Sequence, residues 1–415
     1  MNRETKYWRN RANLRMDEYH KNSDDTIALI NAAYDNAIRQ INEDMNKIFY
    51  KFMKDGGLTE TEARDLLNSN ISKKDLDDIR NRINQIQDRD LKAYMMAELN
   101  AKAYKARITR LEAINESISI NIKKVADVEI RQSELNYINN IKEAYYRNTF
   151  DVQKQVGVGF DFSEIDTNKI EEILKNNWSG EHFSERVWKN TDVLAEELTK
   201  TITAGLMAGT NSRKMATEIQ DLSEYGKHAA ERLIRTETTY VTNMAEIESY
   251  KECGIEKYVF VATLDLRTSK ICRSHDKKIY EVAKAVPGEN LPPLHPYCRS
   301  TTIAYKDEET LNRLKRRARD PQTGKTYVLP KNMSYDEWYK KYVLEKYGAQ
   351  EAEKFEHMIK NKAFDSKEYK KYKETLGKDA PKSFEDFRKT KYNDTNKYKD
   401  LKTKYNDSLA KNLLK

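Results

Sequence analysis

Cysteine, proline and glycine are all scarce in this chain. The scarcity of cysteine excludes a class of protein, and the placement of the few prolines and glycines predicts long helices. The 415 residues include three cysteines, seven prolines and 13 glycines. Three cysteines are too few for a disulfide framework, so a small disulfide-stapled secreted domain is excluded. No apolar run approaches the ~18 residues of a membrane-spanning helix, and residues 1–19 are charged and aromatic rather than an apolar signal sequence. The composition predicts a soluble, intracellular, helix-rich protein with no membrane contact of its own.

The common catalytic motifs are absent as well. The sequence has no phosphate-cradling glycine loop, no Gly-x-Ser-x-Gly elbow and no His-Glu-x-x-His helix. We therefore expect a structural or interaction protein, with no catalytic residues, rather than an enzyme.

The placement of proline and glycine predicts long helices in the first half. All seven prolines lie at or after Pro287, and the first 155 residues contain only two glycines, Gly56 and Gly57. An apolar stripe at helical spacing predicts a helix that begins at Ser23 or Asp24 and ends at the glycine pair. The stripe consists of Ile27, Ile30, Tyr34, Ala37, Ile41, Met45, Ile48 and Phe52. Its spacing fits a core and a partner-binding surface equally well.

Capping signals divide the rest of the chain into helices. Thr59-x-x-Glu62 and Ser72-x-x-Asp75 are capping boxes, and charged helices are expected to continue to about residue 127. Gly157 and Gly159 predict a domain boundary. Beyond it we expect helices at 166–176, 191–207, 212–222 and 225–252, and strands at 258–262 and 301–305. The expected fold is mainly α with a small α+β domain, and the first half forms a helical bundle or hairpin.

Residues 265–302 hold the pattern that predicts a specific site. Within them the spacing is Cys272-x2-His275, nineteen intervening residues, then His295-x2-Cys298. Two thiols and two imidazoles suit tetrahedral Zn2+, which takes sulfur and nitrogen ligands at about 2.0–2.3 Å. Zinc bound by these four residues is therefore the predicted cofactor site. His275 is the weakest of the four: Asp276 is an alternative to it, and a site with no fourth protein ligand is another. The cysteines could instead be small buried apolar residues with no metal.

The same region resembles a known family. The elements that carry the resemblance are Arg235-Thr236-Glu237 on a helix, the strand that follows, the loop Asp265-x-Arg267-Thr268-x-x-x-Cys272, and the sequence Pro-Pro-Leu-His-Pro-Tyr-Cys-Arg from Pro292 to Arg299. This order is similar to the phage head morphogenesis family, the Mu F-like minor head proteins of tailed phages. The family pattern usually has Leu-Asp-Gly where this chain has His275-Asp276-Lys277, so it does not supply His275.

The resemblance implies domains, partners and a location. Residues 1–156 would be a long-helix region that docks on the portal or another partner, residues 157–305 the Mu F-like domain, and residues 306–415 a basic tail. The resemblance implies association with the portal protein, capsid or scaffold proteins and packaged double-stranded DNA. It implies a place in the virion, at the head interior or portal vertex, after assembly in the host cytoplasm. It also implies an influence on DNA packaging or ejection. Arg235 and Glu237 are expected either to brace the 265–267 loop or to face solvent.

Two other functions remain open from the sequence. A zinc-dependent nuclease built on the Cys/His residues, with Asp265 or Asp276 as an extra ligand, would need an open coordination position and a base. Both histidines would then be occupied as ligands, which argues against it. A helical interaction module outside phages is the other alternative, and the match from Pro292 to Arg299 argues against that.

The C-terminal 110 residues carry the basic excess of the chain. Residues 306–415 contain 29 lysines and arginines against 19 aspartates and glutamates, whereas the whole chain has a net charge of +8. Tyrosines alternate with lysines here, and this composition suits weak, sequence-independent contact with DNA through phosphates and stacked bases. An exposed helical tail would have the same composition. The predicted DNA-contact residues are Arg313, Lys315, Arg316 and Arg317.

Overall fold

The computed structural model describes residues 3–52, 58–104, 109–156, 164–308, 311, 316–329 and 332–413. Eight helices come first: α1 Arg3–Ile48, α2 Glu60–Asn68, α3 Lys73–Asn84, α4 Arg89–Tyr104, α5 Arg110–Val156, α6 Thr167–Lys175, α7 Phe183–Met207 and α8 Ser212–Glu252. The middle holds β1 Lys257–Val261, α9 Lys270–His275, β2 Ile279–Glu281, β3 Thr301–Ala304, β4 Arg317–Arg319 and β5 Thr326–Val328. The last part holds α10 Tyr335–Trp338, a π-helix Tyr339–Leu344, α11 Glu345–Tyr347, α12 Ala349–Lys360, α13 Lys362–Leu376, α14 Phe384–Asn393 and α15 Thr395–Leu413. Short 3-10 turns lie at Tyr50–Phe52, Val282–Lys284 and Gly377–Asp379. The predicted class, mainly helical with a small sheet region, is confirmed.

Contacts divide the chain into two compact units. The larger unit comprises residues 14–258 and 280–304, and the smaller comprises residues 1–13, 259–279 and 305–415. The boundary predicted at 156/157 therefore falls inside the larger unit, and Gly157 and Gly159 themselves lie outside the described residues. The boundary predicted at 305/306 lies close to the end of the larger unit.

The apolar stripe of α1 lies in the core of the larger unit. Ile30 is 0% exposed and Tyr34 is 1% exposed, and only Phe52, at 40%, is open to solvent. The stripe packs into one cluster with buried side chains of α2 to α5, α7 and α8, including Leu194, Leu198 and Ile234. The spacing allowed either a core or a partner-binding surface, and the burial of these side chains favours the core. The stripe is not available as a docking surface.

The start of α1 differs from the prediction. The helix runs through Ser23 and Asp24, and Ser23 is fully buried rather than a cap. Its hydroxyl donates to the carbonyl of Tyr19 one turn earlier and lies 2.9 Å from the hydroxyl of Thr238 on α8. A serine that bonds back along the helix and finds a buried partner has no need to end it. Gly56 and Gly57 lie outside the described residues.

Both predicted capping boxes are present. Thr59 and Ser72 each accept from the backbone N–H three residues later, and the side chains of Glu62 and Asp75 accept in return from the cap N–H. Similar boxes open other helices, at His182 with Glu185 and at Ser334 with Glu337. As a result α7 begins at Phe183, eight residues before the predicted start.

The helix α8 is continuous where two helices were expected. It extends from Ser212 to Glu252 without a break near residue 223. Gly226 lies inside it, and a Cβ there would approach the Tyr34 ring to 2.7 Å and Leu194 to 2.9 Å. The glycine therefore permits close helix packing and does not terminate the helix.

The sheet region is small. Strands β1, β2 and β3 form a three-stranded sheet in the order β2-β1-β3, so the two predicted strands are neighbours as expected. Strands β4 and β5 pair antiparallel, with Ala318 opposite Tyr327. Among the described residues, no helix is both long and apolar enough to cross a membrane.

The smaller unit has two apolar clusters of its own. One packs Leu264, Ala318, Leu329 and Trp338 together. The other joins α13, α14 and α15 around the buried residues Tyr372, Phe387 and Leu401. We call these three helices the C-terminal bundle.

Candidate metal centre

The loop before α9 positions Cys272. Ser269 caps this short helix, and its hydroxyl accepts from the backbone N–H of Cys272 at 3.3 Å. Ahead of the cap, the Asp265 carboxylate accepts from the N–H of Arg267 at 2.9 Å and from the hydroxyl of Thr268 at 3.2 Å. The Asp-x-Arg-Thr sequence therefore forms a closed turn, and it leads into a cysteine that is 1% exposed.

A second turn positions His295 and Cys298. The N–H of Cys298 donates to the carbonyl of His295 at 3.1 Å, and Tyr297 takes up a left-handed backbone conformation with φ of 59°. The Nδ1 atom of His295 lies 2.8 Å from the carbonyl of Pro296. When Nδ1 carries the proton, it donates to this carbonyl. A backbone carbonyl is one of the partners that orient metal-binding histidines in known sites.

Three of the four predicted ligands come together. One ligand atom from each of Cys272, His295 and Cys298 lies within 4.8 Å of the others. Both cysteines are buried, and a hydrogen bond with Cys298 is the largest cause that raises the pKa of His295. Two sulfurs and one nitrogen are the donor types that zinc prefers, and three protein ligands leave a fourth tetrahedral position for water or another molecule.

His275 is not part of this group. Its ring packs 5.4 Å from the ring of Phe260, and burial is the main cause that lowers its pKa. The alternative ligand, Asp276, is engaged elsewhere. Its carboxylate accepts from the backbone N–H of Ala262 and of Tyr335 and from the guanidinium of Arg316 at 2.6 Å. A carboxylate with three donors is a structural anchor of the smaller unit.

Two threonines of α8 support the second turn. Thr236 belongs to the Arg235-Thr236-Glu237 element, but the sequence assigned this role to neither threonine. The hydroxyl of Thr239 donates to the carbonyl of Cys298 at 2.6 Å, and the hydroxyl of Thr236 accepts from the N–H of Tyr297 at 3.1 Å. The available signal was the number of β-branched threonines between residues 236 and 242, which is unusual inside a helix.

Arg235 and Glu237 do not brace the 265–267 loop. Arg235 pairs with Asp24 and donates to the carbonyl of His20. The carboxylate of Glu237 accepts from the indole N–H of Trp178 at 3.1 Å, and burial raises its pKa to about 6. Neither residue is simply solvated.

The predicted DNA-contact residues lie in different environments. Arg316 is 4% exposed, and its guanidinium donates to Asp276 and to the carbonyls of Met333 and Ala262. A phosphate cannot reach it in this conformation, so the structure argues against this contact. Arg317 is half-buried on β4, and Arg313 and Lys315 lie outside the described residues.

The tyrosines of the C-terminal bundle are occupied by packing. The rings of Tyr372 and Tyr405 stack with centroids 4.3 Å apart and an interplanar angle of 10°. Tyr369 and Tyr398 pack against the same cluster, and Tyr392 donates to Asp365 at 2.9 Å. These five tyrosines thus take part in packing and hydrogen bonds within the bundle, whereas Phe364 on α13 is 65% exposed.

The fold and this cluster define a mainly helical protein with a small Cys/His-bearing sheet region. Residues 196–303 match the family model described as Phage Mu protein F like protein. That match covers α8, the sheet and the Cys/His loops, and it confirms the resemblance. Residues 196–303 are therefore similar to the Mu F-like proteins.

One curated relative is similar to about half of this chain. An NAD(+)–arginine ADP-ribosyltransferase of Enterococcus faecalis is 26% identical over 212 residues, which are 48% of this chain and 42% of the relative. The chain thus spans less than half of that relative. No solved structure gives a significant match. These matches do not favour the nuclease alternative.

Proposed function

We propose that this protein is a minor head protein that associates with the portal and the prohead interior and acts there as a structural component, with an influence on DNA packaging or ejection. The observation that carries the proposal is the family match over residues 196–303. The capsid or scaffold proteins are further proposed partners. The stripe of α1 is excluded from this docking because it lies in the core.

Co-expression with the portal protein of the same phage tests the proposal. A complex should co-purify, whereas the portal of an unrelated phage should not capture the protein. Particles produced without the gene should lack the protein and show defective assembly or infectivity. Normal, infectious particles without the gene, together with no portal complex, would contradict the proposal.

We further propose that Cys272, His295 and Cys298 bind zinc. The proposal is supported by the donor set and by the carbonyl that orients His295. Bound zinc would hold the loops together, and its binding free energy would add to the stability of the fold. Protein purified without chelator should contain about one equivalent of zinc, an estimate that assumes one complete site.

Substitutions at three residues distinguish loss of the proposed zinc site from the general effect of removing a thiol. Cys298→Ala should lose the metal and melt at a lower temperature. Cys253→Ala is the matched control, because Cys253 is a half-buried free cysteine outside the group. His275→Ala should also keep the metal. Metal-free native protein whose melting is unaffected by a strong chelator would refute zinc binding.

The DNA contact is proposed to run through lysines of the C-terminal bundle. Lys367, Lys370 and Lys371 are exposed on α13, and no carboxylate pairs with them among the described residues. Because the tyrosines pack within the bundle, the contact would depend mainly on phosphates. Affinity should then be weak, independent of sequence and steeply reduced by salt.

Charge-removing variants test this contact. The double variant Lys370→Gln/Lys371→Gln should bind DNA more weakly and should lower the dependence of log affinity on log salt by roughly 2, about one for each lost phosphate contact. Lys200→Gln is the control, because Lys200 already pairs with Glu196 on the exposed face of α7. Equal affinity of the double variant and the native protein would contradict the assignment.

A further inference from the structure

A cleft in the larger unit is separate from the Cys/His cluster. It has a volume of about 440 Å3 and lies among α1, the end of α3 with the residues after it, and α5. This volume falls in the range of small-molecule sites, about 300–1,000 Å3. Its apolar part is formed by the side chains Ala33, Ala37, Ile86, Val125 and Val128.

Three cationic side chains line the cleft, and among the described residues one of them, Lys124, forms no ion pair. Arg82 pairs with Asp44, and Arg131 pairs with Asp127 at 3.0 Å. Lys124 contacts the neutral oxygen Oε1 of Gln85 at 3.4 Å. Burial and the positive charge of Arg82 lower the pKa of Lys124, while the charge of Asp44 acts in the opposite direction.

The cleft offers hydrogen-bond donors beside this cation. The side-chain oxygens of Gln85 and Gln87 already accept from Lys124 and from Arg131, the latter at 2.9 Å. Their amide NH2 groups and the ammonium of Lys124 can still donate, and the Asp127 carboxylate in the lining is paired with Arg131. Donors beside a cation that forms no ion pair favour an anion, since charge-assisted hydrogen bonds are the stronger kind.

We propose that this cleft binds a small organic phosphate, with the phosphate at Lys124 and the amide groups and an apolar body over Ile86 and Val125. A phosphate monoester carries a charge of about −1.5 to −2 at pH 7, which suits a site with several neutral donors and one lysine that forms no ion pair among the described residues. The apolar surface distinguishes such a ligand from a free phosphate ion.

Calorimetric titration of the full chain with phenyl phosphate tests the proposal, because this probe joins a phosphate to an apolar ring. At constant ionic strength, phenyl phosphate should bind saturably and more tightly than inorganic phosphate. Lys124→Gln should weaken binding by about tenfold or more, as expected when a charge-assisted hydrogen bond is lost. The melting temperature should not fall, since the variant removes a partly buried charge that forms no ion pair among the described residues.

Lys123→Gln is the matched control. Lys123 adjoins Lys124 in sequence, but its ammonium lies 4.9 Å from the centre of the Tyr94 ring and it does not line the cleft. This variant should bind phenyl phosphate within about twofold of the native protein, because only screened electrostatics change. Absence of saturable binding to the native protein would overturn the proposal. Equal affinity of Lys124→Gln and native protein, or equal weakening by both variants, would overturn it too.

Discussion

Truncation of Ile30 would measure whether the stripe of α1 is core. Ile30 is fully buried in the largest apolar cluster. The change Ile30→Ala removes three carbon groups, worth about 0.8 kcal/mol each in transfer free energy. The cavity left behind raises the total cost to about 2–5 kcal/mol. In a unit of this size that corresponds to a fall in Tm of roughly 5–15 °C.

The neighbouring residue supplies the control. Leu29 precedes Ile30 on the same helix turn but is 55% exposed. Leu29→Ala should change the free energy of unfolding by about 0.5 kcal/mol or less. Urea denaturation followed by circular dichroism would give both values, because the midpoint shifts while the slope stays constant. If Ile30→Ala unfolded at the native midpoint and lost only its portal binding, the stripe would be a docking surface and the assignment to the core would be wrong.

Three further predictions follow from buried positions. Gly226→Ala should lower Tm, because the new methyl group meets the Tyr34 ring at 2.7 Å, whereas Gly205→Ala meets only the flexible end of a methionine and should be neutral or stabilising. Burial raises the pKa of Glu129 to about 8. The folded state therefore keeps a proton that the unfolded chain releases, and stability should fall as pH rises from about 5 to 8. Glu129→Gln should weaken this dependence in urea melts at the two pH values. Tyr372→Ala should cost about 3–5 kcal/mol within the C-terminal bundle, measured by hydrogen exchange of its amides.

Local signals in the sequence predicted helix starts well. The boxes at Thr59 and Ser72 work through partners three residues away, so the sequence contains everything that the cap requires. The start expected at Ser23 was wrong for the opposite reason. Its hydroxyl bonds to Thr238, more than two hundred residues later, and no local pattern reveals that partner.

The glycine at 226 shows the same limit. A glycine inside a helical pattern predicts a break or a close approach, and only the tertiary packing decides between them. Here Tyr34 and Leu194 come so near that a side chain would clash. The helix continues because its packing against α1 and α7 outweighs the roughly 1 kcal/mol that glycine costs inside a helix.

The sequence predicted the types of residue in the candidate site better than it predicted which individual residues lie together there. Spacing identified Cys272, His295 and Cys298, and each lies at a turn that local hydrogen bonds define. Spacing could not separate His275 from the three residues that cluster, because the direction of a side chain depends on what it packs against. The ring of Phe260 provides that packing. The family pattern, which does not supply a histidine at this position, gave the better indication.

Tyrosine in the C-terminal bundle shows why composition alone misleads about function. A lysine-rich segment of short helices has few aliphatic residues with which to build a core. Tyrosine supplies ring area to the interior while its hydroxyl reaches the polar edge, as when Tyr398 donates to Glu368 at 2.7 Å. Lysines then cover the outside. The same residue types would serve a stacking surface for bases, but Tyr372 packs against both Tyr405 and Phe387 and is only 4% exposed. The proposed contact of this bundle with DNA therefore rests mainly on charge, which acts on phosphates and carries no information about base sequence.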